Sequence, residues 1–328
     1  MSVSAVSPVL SLLNRYDSEG WSTTVADLIP SIHDVDKNAT RIWFAFYPLD
    51  LFRALEKSED PEKLAAELLL EGNYYLKDQI DSSHRFLYGH RYWPQVKAAV
   101  ANSAEGGADA DSLSALVLEV AAKVAEIAKV DKSLTTGITA VAFMTLFQVG
   151  LEKFKAAAGK IHIDSKLVGR SPERILRDRA KDDSQGLLGF LKTINKTWTV
   201  VFNENDTTAR YKAFNDQEIA SGAAVEDKQK WRAKDPRCID GPIPVQCRSA
   251  ACGTCWVGVL GGAEKLSDVQ RLESNSIKRF GYIETNDPKP LIRLACQAQA
   301  LGAISIVIPP WNGVFGKYLK KQKAGLDE

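Results

Sequence analysis

The sequence lacks a long apolar run, a strong charge of either sign and a recognisable targeting signal. Its most apolar stretch, residues 137–150, has only 14 residues, whereas a transmembrane helix needs about 20. The net charge of +1 creates no field that would select nucleic acid or a membrane surface. The first residues contain no basic segment followed by an apolar core. We therefore expect a cytoplasmic protein with no transmembrane segment and no nucleic-acid partner, in which residues 137–150 form a buried helix.

The sequence also lacks the short motifs of several enzyme classes. It contains no G-x-G-x-x-G after a predicted strand, no P-loop, no C-x-x-C-H and no H-E-x-x-H. These motifs bind dinucleotides, nucleotide phosphates, c-type haem and zinc, respectively. A flavin or nicotinamide domain is therefore not expected in this chain.

The apolar pattern changes near residue 190. Before this point apolar residues recur every three to four positions, which predicts helices over 60–89, 108–130 and 133–158, with a shorter one from Ser171. After it the pattern favours strands at 197–202, 209–214, 256–260 and 304–308, with helices at 216–230 and 267–280. We predict a multidomain chain, with an all-α N-terminal domain (1–190), an α+β domain (191–310) and a basic C-terminal tail (311–328).

Four of the five cysteines form an uneven pattern, C-x4-C-x2-C and one more cysteine after forty residues: Cys247, Cys252, Cys255 and Cys296. A disulfide framework is not expected from this spacing. Four thiolates can hold the two irons of a [2Fe–2S] cluster, with three from one loop and one from a distant position. A four-cysteine zinc site usually shows two C-x2-C-like pairs, and only one is present here; zinc or plain buried thiols are the alternatives. Cys238 is expected to be a free thiol.

The residues between the loop cysteines are small or polar, so their backbone N–H groups can approach the sulfides of a cluster. Such hydrogen bonds spread its negative charge and raise its reduction potential. Gly253 has no Cβ to obstruct the approach. The residues expected to line the cofactor are Arg248, Ser249, Ala250, Ala251, Gly253 and Thr254.

Residues from about 197 to 309 resemble a plant-type [2Fe–2S] ferredoxin domain of the β-grasp fold. The resemblance lies in the paired strands, the loop C-R-S-A-A-C-G-T-C, the strand W-V-G-V-L and the L-A-C-Q that precedes I-S-I-V-I-P. It implies electron transfer, with Cys247, Cys252, Cys255 and Cys296 as cluster ligands. Three features depart from the family: Ala250 stands where Gly is usual, the Lys- and Arg-rich segment 228–246 is longer than in minimal ferredoxins, and the forty-residue gap before Cys296 is also long.

The helical domain carries one arrangement that could bind metal. Asp81 and His84 are three positions apart, as in half of a carboxylate-bridged di-iron motif, but the second half is absent. We expect His84 to be a capping or core residue, with metal or haem ligation as the alternative.

These observations predict an electron-transfer protein or subunit that carries one [2Fe–2S] cluster. It would exchange single electrons with a dedicated redox enzyme such as a hydrogenase, dehydrogenase or oxygenase, which the helical domain would bind. We expect a carrier or an electron-transfer subunit more than a catalyst. Two alternatives stay open: a redox enzyme whose helical domain holds a further cofactor fed by the cluster, and a redox sensor. The sequence does not indicate the oligomeric state.

Overall fold

The computed structural model describes residues 7–106, 110–181, 196–226, 229–280 and 286–325. The helices in chain order are α1 Pro8–Leu13, α2 Ser18–Leu28, α3 Asp34–Phe46, α4 Leu49–Lys57, α5 Pro61–Glu67, α6 Trp93–Gly106, α7 Leu113–Ala128, α8 Ser133–Val149, α9 Leu151–Ala156, α10 Pro172–Ala180, α11 Ile219–Ala223, α12 Trp231–Lys234, α13 Arg271–Phe280 and α14 Phe315–Ala324. The strands are β1 Glu71–Gly72, β2 Thr197–Val201, β3 Arg210–Phe214, β4 Trp256–Gly261, β5 Ile292–Leu294, β6 Ile304–Val307 and β7 Trp311–Asn312. Short 3-10 turns lie at Ile29–Ser31, Leu76–Asp78, Tyr88–Tyr92 and Ala263–Lys265.

The chain divides into two compact units that are not consecutive in sequence. The first comprises residues 1–54 and 75–169, and the second comprises residues 55–74 and 170–328. Within the described ranges, no helix is long and apolar enough to cross a membrane.

The first unit is helical and is built around α8. Every residue of α8 from Leu134 to Leu146 is buried, and α3, α6 and α7 pack against it. The threonine hydroxyls inside this helix are satisfied locally, since Thr139 and Thr145 donate to carbonyls one turn earlier, both at 2.8 Å. The expectation of a buried helix at 137–150 is confirmed. The predicted helix over 133–158 is instead two helices, because Gly150 has φ +80° and separates α8 from α9.

The predicted helix over 60–89 is wrong beyond its first turns. α5 ends at Glu67, and Leu69 and Gly72 adopt φ +52° and +87°. β1 then pairs antiparallel with β7. A Cβ on Gly72 would lie 2.5 Å from the Pro310 carbonyl oxygen, so this close approach requires glycine. Turns and short 3-10 segments follow, up to the start of α6.

The second unit contains a five-stranded mixed sheet. Its strand order is β3-β2-β6-β4-β5, in which β2 and β6 are parallel and every other pair is antiparallel. The four predicted strands are confirmed as β2, β3, β4 and β6, whereas β5 was not predicted. The predicted helix at 216–230 is shorter, since Asp216 has φ +62° and α11 covers only Ile219–Ala223; residues 227–228 lie outside the described part. α11 packs against β3, and α13 occupies most of the predicted helix at 267–280.

Candidate functional site

The loop that precedes β4 carries three cysteines, and left-handed backbone conformations determine its shape. Arg248, Ala250 and Gly253 have φ angles of +51°, +60° and +71°. Glycine adopts this conformation freely, whereas each L-residue is disfavoured there by about 1–2 kcal/mol. Alternation of left- and right-handed residues turns successive backbone N–H groups toward a common side. The loop therefore presents a concave row of donors of the kind that binds negatively charged groups.

The sulfur of Cys247 receives three of these donors. The N–H groups of Ser249, Ala251 and Cys252 lie 3.5, 3.3 and 3.3 Å from Cys247 Sγ. Partial burial would raise the pKa of Cys247, but the hydrogen bonds, led by that of Ser249, lower the pKa to about 6. The loop thus favours the thiolate, which is the form that binds metal.

Strand pairing brings the distant Cys296 to the loop. β4 begins immediately after Cys255 and β5 ends just before Cys296, with Trp256 opposite Leu294. The N–H of Ala295 donates to the Cys255 carbonyl at 2.9 Å. The two buried thiols of Cys255 and Cys296 are hydrogen-bonded to each other. This contact is the main cause that lowers the pKa of Cys296 to about 7 and raises that of Cys255 well above its usual range.

The other two thiols form a second pair. Cys252 hydrogen bonds to Cys247, and its Sγ lies 3.1 Å from the Thr254 hydroxyl. That hydroxyl accepts the Gln246 N–H at 3.2 Å, which leaves its own hydrogen for the Cys252 sulfur. Electrostatic coupling links the two pairs, between Cys252 and Cys255 and between Cys247 and Cys296. Four thiols in two adjacent pairs, with backbone donors around them, match the donor set of a [2Fe–2S] cluster.

The other predicted lining residues are Arg248, Ala250 and Gly253. The Arg248 guanidinium contacts Ser221 and Asp240, each at 3.4 Å. The N–H of Ala250 instead hydrogen bonds to Cys296 and helps to lower its pKa. Gly253 supplies the last left-handed turn before Cys255.

α13 holds the loop, a contribution that the sequence did not predict. The Ser276 hydroxyl donates to the Ala250 carbonyl and the Arg279 guanidinium donates to the Ala251 carbonyl. Glu273, on the same buried face as Ser276, pairs with Arg293 at 2.8 Å, and both side chains are fully buried. The sequence of α13 carries one local signal of this role, an acidic residue (Glu273) on the apolar face of an amphipathic helix. It does not reveal which residues α13 binds, because these lie about twenty or more residues away in sequence.

Cys238 lies apart from the two thiol pairs. Its thiol is buried and donates to the Pro242 carbonyl oxygen at 3.3 Å. Burial raises its pKa to about 12, so it stays protonated and unreactive at neutral pH. This agrees with the expected free thiol.

The arrangement of Asp81 and His84 on one helix face is not present. Both residues lie in turns, and the Asp81 carboxylate accepts the Trp93 indole N–H at 2.8 Å. His84 is completely buried and donates from Nε2 to the Ile80 carbonyl at 3.2 Å. Its Nδ1 lies 3.1 Å from Nδ1 of the buried His90. His84 is therefore a core residue, as expected.

The two histidines can satisfy all four ring nitrogens only when both are neutral. His84 donates from Nε2, so its Nδ1 accepts from the Nδ1–H of His90, and His90 Nε2 accepts the His162 N–H at 3.1 Å. Burial is the main cause that lowers the pKa of His90 to about 4 and that of His84 well below 6.5. Among the described residues, no three or more His, Cys, Asp or Glu side chains are gathered around a single ion position.

Four thiols with backbone donors around them are the kind of donor set that an iron–sulfur centre uses. A family model described as the 2Fe-2S iron-sulfur cluster binding domain matches residues 231–301. The chain therefore carries a domain of this family, which binds a [2Fe–2S] cluster and indicates a role in electron transfer. This confirms the resemblance to a [2Fe–2S] domain over residues 231–301 and the expected cofactor. No family model matches the N-terminal region, and neither a curated protein nor a solved structure matches the chain.

Proposed function

We propose that the chain is an electron-transfer protein or subunit whose [2Fe–2S] cluster is held by Cys247, Cys252, Cys255 and Cys296. The observation that carries the proposal is the convergence of Cys296 on a loop forty residues earlier, where four thiols form two pairs. Each pair supplies the two thiolates that one iron needs. When bound, the cluster accepts or releases one electron at a time. The chain is thus a carrier, and no residue is assigned a catalytic role.

The sheet supports a β-grasp assignment for residues 191–310. A parallel central pair, β2 and β6, is flanked by antiparallel neighbours on both sides. α11 lies against β3, with the Tyr211 hydroxyl donating to the Ile219 carbonyl at 2.8 Å. The cysteine loop precedes β4 and Cys296 follows β5, so both parts of the proposed ligand set adjoin the sheet.

The two thiol pairs differ in exposure, and this difference indicates the side of the site from which a redox partner would exchange electrons. Cys255 and Cys296 are buried, whereas Cys247 and Cys252 are only half-buried. Ser249 and Ala251 on the loop are exposed. A redox partner would therefore approach from the loop side, while the buried side excludes water.

We also propose that the helical region within residues 1–190 binds the partner, a dedicated redox enzyme such as a hydrogenase, dehydrogenase or oxygenase. Residues 55–74 and 170–190 are excepted because they belong to the second unit. In the basic segment predicted as a tail (311–328), residues 311–312 form β7 and residues 315–324 form α14. The protein would act in a reducing compartment such as the cytoplasm, where thiols stay free to take up iron and sulfide. A cofactor in the helical region is not proposed, since the ring nitrogens of His84 and His90 are all used in hydrogen bonds.

Anaerobic reconstitution of the full chain with iron and sulfide tests the ligand assignment. We expect the visible absorption and the reduced-state EPR signal of one [2Fe–2S] cluster per chain. Cys252→Ser and Cys296→Ser should each abolish or shift both signals, because each removes a thiolate from a different pair. The matched control is Cys238→Ser, which changes a buried cysteine outside both pairs and should leave the spectra unchanged. A chain that takes up one zinc and no sulfide, or a Cys296→Ser variant with the wild-type spectra, would refute the proposal.

A further inference from the structure

Two side chains of α13 bind the backbone of the cysteine loop between Cys247 and Cys252. Ser276 donates to the Ala250 carbonyl, and Arg279 donates to the Ala251 carbonyl. Ser276 and Ala250 are buried, so this contact is shielded from water, whereas Arg279 and Ala251 are exposed. α13 thus reaches the loop through one neutral buried donor and one charged exposed donor.

The same two peptide groups donate to the sulfur of Cys247. The peptide that joins Ala250 to Ala251 places its N–H 3.3 Å from Cys247 Sγ, and the next peptide places the Cys252 N–H at the same distance. Each peptide group is therefore hydrogen-bonded at both ends, with its carbonyl to α13 and its N–H to sulfur. A donor at the carbonyl polarises the peptide and strengthens the bond that its N–H gives, since hydrogen bonds in a chain polarise one another.

We propose that Ser276 and Arg279 raise the reduction potential of the cluster through these two peptide groups. This inference rests on the proposed function, because it requires Cys247 to be a ligand. Reduction adds one electron and one negative charge, and no bond to the protein forms or breaks. Stronger N–H donors on the sulfur stabilise the more negative reduced state and so favour uptake of the electron. Both residues are positioning residues, since they act through the loop backbone.

The two donors should respond differently to salt. Arg279 carries a full charge at an exposed position, and mobile ions screen such a charge with a Debye length of about 10 Å at 0.1 M and about 3 Å at 1 M. The Ser276 hydroxyl is neutral and buried, so its effect does not depend on screening. Salt dependence therefore separates a charge effect from a hydrogen-bond effect.

Redox titration of the reconstituted full-length protein tests the proposal, with dithionite as the reductant and EPR as the readout. Ser276→Ala should lower the one-electron reduction equilibrium constant about tenfold, which is about 59 mV, at both 0.1 and 1 M salt. Arg279→Gln should lower it by a similar factor at 0.1 M and by clearly less at 1 M. Ser276→Thr keeps the hydroxyl and should restore the wild-type potential.

Arg271→Gln is the matched control for charge. Arg271 begins the same helix, eight residues before Arg279 or about 12 Å along the axis, and its removal should change the equilibrium less than twofold. Iron and sulfide contents, measured on every variant, must remain those of one cluster per chain. If Ser276→Ala fails to hold the cluster, Arg279→Gln at 0.1 M salt decides the matter.

Full clusters with wild-type potentials in Ser276→Ala and Arg279→Gln would overturn this inference and leave the proposed function intact. An equal shift in Arg271→Gln and Arg279→Gln would also overturn it, because only a general charge effect would remain. Wild-type protein without iron and sulfide would instead refute the proposed function itself.

Discussion

Ala250 occupies a backbone conformation that does not suit its side chain, and its neighbours hold it there. Its φ of +60° disfavours an L-residue by about 1–2 kcal/mol. Its carbonyl accepts from Ser276 and its N–H donates to Cys296, so both polar groups of the residue are in use. The left-handed conformation of Ala250 allows its carbonyl to bind Ser276 and its N–H to bind Cys296.

Ala250→Gly should therefore stabilise the protein. We expect the free energy of unfolding of the cluster-free chain, measured in urea, to rise by about 1 kcal/mol, because glycine adopts φ +60° without strain. Ala251→Gly is the control: φ at Ala251 is negative, so this change only loosens the unfolded chain and should lower the free energy by about 0.5 kcal/mol. A decrease in both variants would show that Ala250 is not strained.

At the residue scale, spacing in the sequence was sufficient to predict which cysteines come together. Cys247, Cys252 and Cys255 are close in sequence, and their separation limits the shapes that the loop can take. The contributions of Ser276 and Arg279 could not be predicted in this way. Both bind backbone carbonyls, which every residue possesses, so no side-chain pattern in the loop indicates the partner.

α13 is the element that joins the two parts of the proposed ligand set. Its Glu273 pairs with Arg293 at the middle of β5 and also accepts the Leu294 N–H at 2.9 Å, two residues before Cys296. Its Ser276 holds the cysteine loop. Because the Glu273–Arg293 pair is fully buried, removal of one partner leaves an uncompensated charge in the core.

Glu273→Ala should lower the free energy of unfolding by about 3–5 kcal/mol and reduce the iron bound per chain on reconstitution. The double variant Glu273→Leu with Arg293→Leu should recover much of that stability, since it leaves no unpaired charge. Urea unfolding of the double variant and of the single variants Glu273→Leu and Arg293→Leu completes a double-mutant cycle. Equal losses in Glu273→Ala and in the double variant would contradict a dominant role for the ion pair.

At the element scale, the strongly patterned strands were predicted and the irregular segments were not. β2, β4 and β6 are β-branched or apolar runs, which directly favour strands. The segment after α5 has a helical apolar pattern but leaves the helix, because the pairing of β1 with β7 requires the close approach at Gly72. β5 has only three residues and gains its structure from pairing with β4, which no local propensity reveals.

The buried histidine pair makes the stability of the first unit of the molecule sensitive to acid. His84 and His90 are neutral in the folded state, and the pKa of His90 is about 4 there against about 6.5 in an unfolded chain. Between these values the unfolded state binds the extra proton. Stability is therefore fully present above pH 6.5 and declines as the pH falls.

The free energy of unfolding should fall between pH 7 and 5 by about 2 kcal/mol from His90 alone, with a further loss in the same direction from His84. Urea unfolding followed by far-UV circular dichroism at half-unit intervals measures this loss. His90→Gln should show a weaker pH dependence over the same range. His33→Asn, which keeps a capping side chain at the start of α3, should retain the wild-type dependence; a flat wild-type profile would contradict the neutral pair.

The chain passes between its two units three times, at residues 54–55, 74–75 and 169–170. A single cut, by a protease or at the boundary of an expressed fragment, therefore cannot release either unit whole. A fragment that starts at residue 170 would lose β1, and the backbone groups of β7 that pair with β1 would lose their partners. Excised ferredoxin-like fragments of this protein should consequently unfold at lower urea concentration than fragments to which residues 55–74 are supplied.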